Sequence, residues 1–283
     1  MNALKWFGDL DKRWLYLLLL LVVVFPLLRP LGIPIDVTAS TSQFIAAVDK
    51  LAPGDRMLLV FDYSIGGGPD VDPQAQVVLA HALSRGVRVV EVAFVDTGLN
   101  YAVKTVELWE SKGKVYGTDI ICLGYATGVE TAISAFAQNI SAVFPTDVRG
   151  KPIGSYPIMQ GLKTAADFKL ITEFATGIPG PAEWIRQVVT RFKVPLGCGV
   201  VAVMGPQNVP YLQSGQLVGL LGGGLKSAAE YEIAVKMPGA ATAAMDAQSL
   251  GHLMIVLFVI LGNLLFLVER QERRAAKVGG VRA

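Results

Sequence analysis

Histidine and cysteine are nearly missing from this chain, with two of each in 283 residues. Numbers this small leave no room for a metal cluster built from Cys and His. His81 falls inside a helical pattern, and His252 at the mouth of an apolar stretch near the C-terminus. Neither is near a strand end, so a Ser-His-Asp or Cys-His arrangement has nothing to build on. His252 reads first as an interfacial residue, with proton sensing the lesser alternative. No serine sits in a G-x-S-x-G elbow. Cys122 and Cys198 lie inside apolar runs and read as small buried hydrophobes. The N-x-S triplet at Asn139 sits in a helical pattern and reads as accidental. Charge is also sparse, at 17% of residues and a net +2, with no basic stripe in the middle of the chain. That argues against nucleic acid as a ligand.

Apolar residues make up 52% of the chain, and two long runs of them bracket it. The first is Trp14 to Ile35, with Arg29 as its only charge; the second is Leu250 to Val268, with none. About 20 mostly apolar residues suffice to cross a bilayer as a helix. Lys5, Lys12 and Arg13 precede the first run, and Arg270, Arg273, Arg274, Lys277 and Arg282 follow the second. Under the positive-inside rule both termini are cytoplasmic and the middle lies across the membrane. The first run has a second reading, a cleaved secretory signal ending near Val37-Thr38-Ala39, which leaves the middle on the same side. Trp14 and Tyr16, placed as an interfacial belt, favour a retained span. Asn263, midway through the second run, is expected either to bond a neighbouring helix or to be tolerated without a partner.

The expected organisation is therefore a cytoplasmic N-terminus (1–13), a transmembrane helix (14–35) and an extracytoplasmic domain (36–237). An Ala-rich linker (238–249), a second transmembrane helix (250–268) and a basic cytoplasmic tail (269–283) follow. The middle is large enough for one sizeable core.

Within it, short apolar runs of strand length alternate with helical patterns. A helix capped by Thr41 or Ser42 runs to Leu51. Strands are expected at Arg56–Tyr63, Val87–Val95, Asp119–Gly124, Phe168–Ala175, Gly197–Met204 and Gln216–Leu221. Helices are expected at Pro73–Arg85, Leu99–Lys112, Val129–Ala142, Pro181–Phe192 and Leu225–Lys236. An irregular crossover, residues 144–165, separates the two halves. Strands apolar on both faces and alternating with helices mean a mostly parallel sheet covered on both sides. Three strand–helix units, a crossover and three more are the pattern of a doubly wound, six-stranded Rossmann-like α/β sheet of order 3-2-1-4-5-6. The alternatives are half of a periplasmic-binding-protein-like fold or a flavodoxin-like sheet.

Ligands of such sheets bind beyond the carboxyl ends of the strands, where the order reverses. Here that selects the loops after the first and fourth strands. The first carries Asp62, Tyr63, Ser64, Gly66, Gly67, Gly68 and Asp70; the other carries Thr176 and Gly177. A glycine-rich loop entering a helix can wrap an anion. The spacing matches neither phosphate-binding fingerprint, and Asp70 and Asp72 would repel a phosphate there. A plain turn with Asp70 or Asp72 as helix cap is the favoured reading. Asp62 and Asp96 end neighbouring strands; together they would offer oxygen ligands to a divalent cation, or bond loop amides, which is the favoured reading. Tyr63, Tyr125 and Tyr211 would line the same edge or pack its rim. No cofactor is indicated.

Residues 206–232 read PQNVPYLQSGQLVGLLGGGLKSAAEYE, and the first strand ends in VFDY. Together these resemble a family of uncharacterised membrane-anchored prokaryotic proteins with a Rossmann-like extracytoplasmic domain. Its members carry an Asp-Tyr pair after the first strand, here Asp62-Tyr63. They also carry an SGQL-x-GL run, here Ser214 to Leu220, before an Ala-Ala-x-Tyr-Glu helix, here Ala228 to Glu232. In that family an acidic residue and a Gly-Glu pair follow the Asp-Tyr, where this chain has Ser64 and Gly66-Gly67-Gly68. The family brings no known activity, so the resemblance implies fold and membrane display alone.

The functional expectation is a membrane-anchored binding or scaffold module, part of a larger membrane assembly or a homo-oligomer, in contact with the bilayer. The alternatives are a metal-dependent enzyme using Asp62 and Asp96 on an envelope or lipid-linked substrate, and a ligand sensor.

Overall fold

The computed structural model describes residues 11–279, and their side chains as far as 271. The first ten residues and the tail side chains, Arg273, Arg274, Lys277 and Arg282 among them, lie outside the described residues. The chain forms two compact units: the segments up to Ile33 and from Thr242 onward, and Pro34–Ala241.

In the first unit helix α1 spans Lys12–Leu28, with Asp11 as its cap receiving the Arg13 N–H. It stops seven residues short of the expected Ile35. Arg29 leaves helical geometry at φ −143°, and Pro30 and Pro34 beyond it deny the next turn its N–H donors. At 17 residues it rises about 25 Å, the short end of what crosses a bilayer. Among the described residues one helix is long and apolar enough to span a membrane, residues 240–271. The expected linker 238–249 is therefore mostly helix, in keeping with the helix propensity of its alanines. Asp246, on that helix, is buried and accepts the backbone N–H groups of Leu31, Gly32 and Ile33 at 2.7, 2.9 and 2.9 Å. Asn263 donates to the Val259 carbonyl one turn back, so its amide is satisfied within its own helix.

The second unit is an α/β sandwich. In order it runs α2 (Ala39–Asp49), β1 (Arg56–Asp62), α3 (Gly68–Ser84), β2 (Arg88–Ala93), α4 (Asp96–Ser111) and β3 (Ile120–Tyr125). Helices α5 (Glu130–Gln138) and α6 (Ile140–Val143) come next, followed by a crossover with three short 3-10 turns. Then come β4 (Leu170–Ala175), α7 (Pro181–Trp184), a π-type turn, α8 (Thr190–Phe192) and β5 (Leu196–Val200). The unit closes with α9 (Gly205–Gln213), β6 (Gly219–Leu221) and α10 (Leu225–Ala234). The long helix of the first unit, Ala240–Gly279, is α11.

All six strands pair in parallel in the order β3-β2-β1-β4-β5-β6. The order reverses beside β1, so β1 and β4 flank the switch point. Leu58, Val60, Val90, Val92 and Ile171 face the core covered by Phe136 and Trp184. Met57, Leu59, Phe61, Val89 and Phe174 face the other, covered by Phe44, Val78 and Tyr231. Each fully buried Leu, Val or Phe contributes roughly 1.5–3 kcal/mol, which is why strands this apolar stay between two helical layers.

Two strands carry an acid in their interior. Glu91 on β2 and Glu173 on β4 are fully buried, on opposite faces. Among the described residues both oxygens of Glu91 and the Oε1 of Glu173 have no hydrogen-bond partner, and burial pushes both carboxyls well above the usual range. Neutral carboxyls are the form such surroundings tolerate. Asn139 separates α5 from α6 and caps the latter through the Ala142 N–H, which gives the N-x-S asparagine a structural duty.

Candidate functional site

The loops after β1 and β4 meet at the carboxyl edge. The Ser64 N–H donates to Thr176 Oγ1 at 2.9 Å, and the two hydroxyls lie 3.3 Å apart. A Cβ on Gly67 would come within 2.3 Å of Thr176 Cγ2, and one on Gly68 within 2.1 Å of the Tyr101 hydroxyl. Glycine at these two positions permits close packing. Gly66 and Gly177 have open space around them. Tyr63 is buried rather than lining a pocket: it packs on Phe61 and Tyr101 and donates to Asp72 Oδ1 at 2.7 Å.

Asp70 lies in the first turn of α3, but the helix it caps is another one. Its Oδ1 accepts the Leu225 N–H at 2.7 Å, at the start of α10, and its Oδ2 accepts the Ala202 N–H at 3.0 Å, just past β5. The Gly223 N–H is taken by Ser227 Oγ at 2.8 Å. Gly224 has φ +58°, and a Cβ there would stand 2.3 Å from either Asp70 oxygen. Helix N-termini attract anions because their first N–H groups lack partners. In this chain the Gly222-Gly223-Gly224 turn receives its anion from Asp70.

Asp62 ends β1 on the face toward α7 and is 1% exposed. The Phe94 N–H donates to its Oδ1 at 2.7 Å and the Trp184 indole N–H to its Oδ2 at 3.1 Å. Burial raises its pKa from the usual 3.8 to about 7, although those bonds pull the other way. On the same face the Cys198 thiol donates to Glu173 Oε2 at 3.2 Å. Asp96 is exposed in the first turn of α4, where it accepts the N–H of its neighbour Thr97 at 2.7 Å. Both aspartates thus bond backbone amides and share no partner. No group of three or more His, Cys, Asp or Glu is placed to hold a metal among the described residues.

The open space at this edge lies beyond β4 and β5. A cleft of about 480 Å³ is lined by Thr176, Gly177, Pro181, Met204, Asn208 and Tyr211, with Ile178 and Glu183 on its border. Ile178 and Val203 are 78% and 87% exposed, and Ile65, on the adjacent β1 loop, is 64% exposed. Of the three tyrosines, Tyr211 reaches the cleft and Tyr125 lies at a separate concavity beyond β3.

Sequence reasoning placed Thr176, Gly177 and Tyr211 at this edge but missed Met204 and Asn208. Asn208 lies on α9 and Met204 just before that helix, which is hidden by Pro206 and Pro210, one at its start and one inside it. It also missed Glu173 and Trp184. The signal for Glu173 was visible: one acid inside a six-residue strand whose only other polar residue is Thr172.

His81 lies away from this edge, with Nδ1 2.9 Å from the Tyr231 hydroxyl and Nε2 3.4 Å from Asp49; burial lowers its pKa. Comparison with known protein families, with curated proteins and with solved structures finds no match for this chain.

Proposed function

We propose that this chain is a membrane-anchored binding or scaffold module whose α/β unit is displayed outside the cytoplasm within a larger membrane assembly. The observation that carries the reading is the self-filled anion seat. Asp70 stands in the first turn of α3, the helix after β1 where a doubly wound sheet would otherwise hold a phosphate, and its carboxylate also fills the α10 N-terminus. What the edge leaves open is a small cleft with Glu183 as its one charged lining residue among the described residues, bordered by exposed aliphatic side chains. Apolar groups presented on loops suit a protein partner, since exposed aliphatics cluster where surfaces associate. Helix α11 supplies one membrane span. Helix α1, Leu-rich and preceded by Lys5 in the sequence, supplies the second in this reading. The basic residues outside both support cytoplasmic termini in this reading.

The test is purification of the full-length protein from membranes in mild detergent, after cross-linking. Discrete partner chains, or a second copy, should be captured at fixed stoichiometry. The pair Ile178→Glu and Val203→Glu should lose them, because a carboxylate buried at an apolar contact is costly. A protein that stays alone under these conditions overturns the proposal. So does a stoichiometric divalent ion lost in Asp96→Asn, which favours the enzyme reading instead.

A further inference from the structure

Asp62 and Glu173 are diagonal neighbours on one face of the sheet. β1 and β4 pair with Val60 opposite Glu173 and Asp62 opposite Ala175, which puts their Cα atoms about 8 Å apart. Both side chains are essentially inaccessible to water. β4 contributes Glu173, β5 the Cys198 thiol, and α7 the Trp184 indole. Glu183, on the same helix, adds a more distant negative charge that opposes ionisation of Glu173. Arg186 is held by Glu130 and Glu183 and is half-exposed. Tyr63 and Glu91 belong to the opposite face, and Phe136 of α5 is apolar. No cation partners either acid among the described residues. Two carboxyls this close, without a cation in a dry interior, do not both ionise.

We propose that Asp62 and Glu173 form a proton-operated latch on the wall of the carboxyl-edge cleft, gripping Trp184 when Asp62 is ionised and releasing it when Asp62 takes up a proton. The proposal rests on the reading of that cleft as a binding site. Ionised, Asp62 accepts from both Phe94 N–H and Trp184 Nε1–H, two charge-assisted bonds to one carboxylate. A proton arriving from solvent turns one of those oxygens into a neutral hydroxyl, a much weaker acceptor than the carboxylate. The longer bond, to Trp184, is the one that yields. On the same face Glu173 Oε1 has no hydrogen-bond partner among the described residues, so it is free to accept the new O–H. Trp184 follows Pro181, Ala182 and Glu183, all of which border the cleft. Its release therefore loosens the helix turn that forms the wall.

The experiment follows Trp184 in the full-length protein in detergent, by indole fluorescence with Trp6, Trp14 and Trp109 replaced by Phe. Between about pH 5 and pH 9 the emission should change in one step with a midpoint near neutrality. Asp62→Asn should abolish the step. Glu173→Gln, which keeps that carboxyl neutral, should retain it. A wild-type midpoint in the ordinary carboxylate range, or a step that survives Asp62→Asn, overturns the latch. If Asp62→Asn does not fold, the carboxyl carbon shift of Asp62 in labelled wild-type protein decides the same question. A midpoint below about pH 5 there overturns it as well. None of these readouts needs a partner. Failure of the latch is thus separable from failure of the scaffold reading, which shows in cross-linking.

Discussion

Asp70 and Leu225 are 155 residues apart in sequence, and the carboxylate of one caps the helix begun by the other at 2.7 Å. Through Ala202 the same carboxylate also ties down the chain after β5. Replacing it with alanine should cost about 2–4 kcal/mol, from a lost cap and a second charge-assisted bond. Asp70→Asn, which keeps one acceptor, should cost less. Chemical denaturation of the three proteins checks the order. The alanine variant should also become stabilised by millimolar phosphate, which fills the vacated seat, whereas wild type should not respond.

Topology gives a second expectation. Cysteines introduced at Gln160 should react with a membrane-impermeant maleimide in intact cells, and ones at Gly279 only after lysis. The reverse pattern would put the α/β unit in the cytoplasm.

The native cysteines should both remain free thiols. β3 and β5 are separated by β2, β1 and β4, four strand spacings or about 19 Å, whereas a disulfide needs Cα atoms within about 7 Å. Both residues are buried, and burial raises the pKa of both thiols. Thiol reagents should modify neither until denaturant is added. A Cys122–Cys198 bridge found by mass spectrometry would contradict the strand order.

Glu230 holds the start of α2 in place. Its Oε2 accepts from Thr38 N–H, Thr38 Oγ1 and Thr41 Oγ1 at 3.1, 2.8 and 2.8 Å, and the side chain is buried. Glu230→Ala leaves those donors without an acceptor and should destabilise the α/β unit by about 2–4 kcal/mol. Glu230→Gln should cost less. Urea titrations of both variants read the difference.

Stability should depend on pH in a direction unusual for an acid. The folded pKa of Asp62 is raised, so between its usual 3.8 and about 7 the folded state binds the extra proton. Its contribution is fully present below the lower value and is lost as pH rises through the window, on the order of 4 kcal/mol in all. Asp147 and Asp167 have lowered values, and their contribution is lost as pH falls below the usual carboxylate range. Denaturation midpoints should therefore be highest at mildly acidic pH. A midpoint flat from about pH 4 to pH 7 would remove Asp62 from this account.

The sequence by itself determined the alternation of strands and helices and the strand order. Period and punctuation carry those: Gly86 and Gly113 stop helices, both at positive φ, and continuous apolar runs make strands covered on both faces. It also located the switch-point loops, because strand order alone fixes where they fall. Tertiary structure alone decided what the loops do. Asp70 serves a helix 155 residues away, a pairing that no local pattern records. Pro30 and Pro34 shorten the first apolar helix more than its composition suggested. Glu173 in an apolar strand is an anomaly in the sequence, and only the β1–β4 register sets it beside Asp62. Hydrophobic periodicity places side chains on faces; which polar groups meet across those faces depends on register and helix placement, and these the folded chain alone sets.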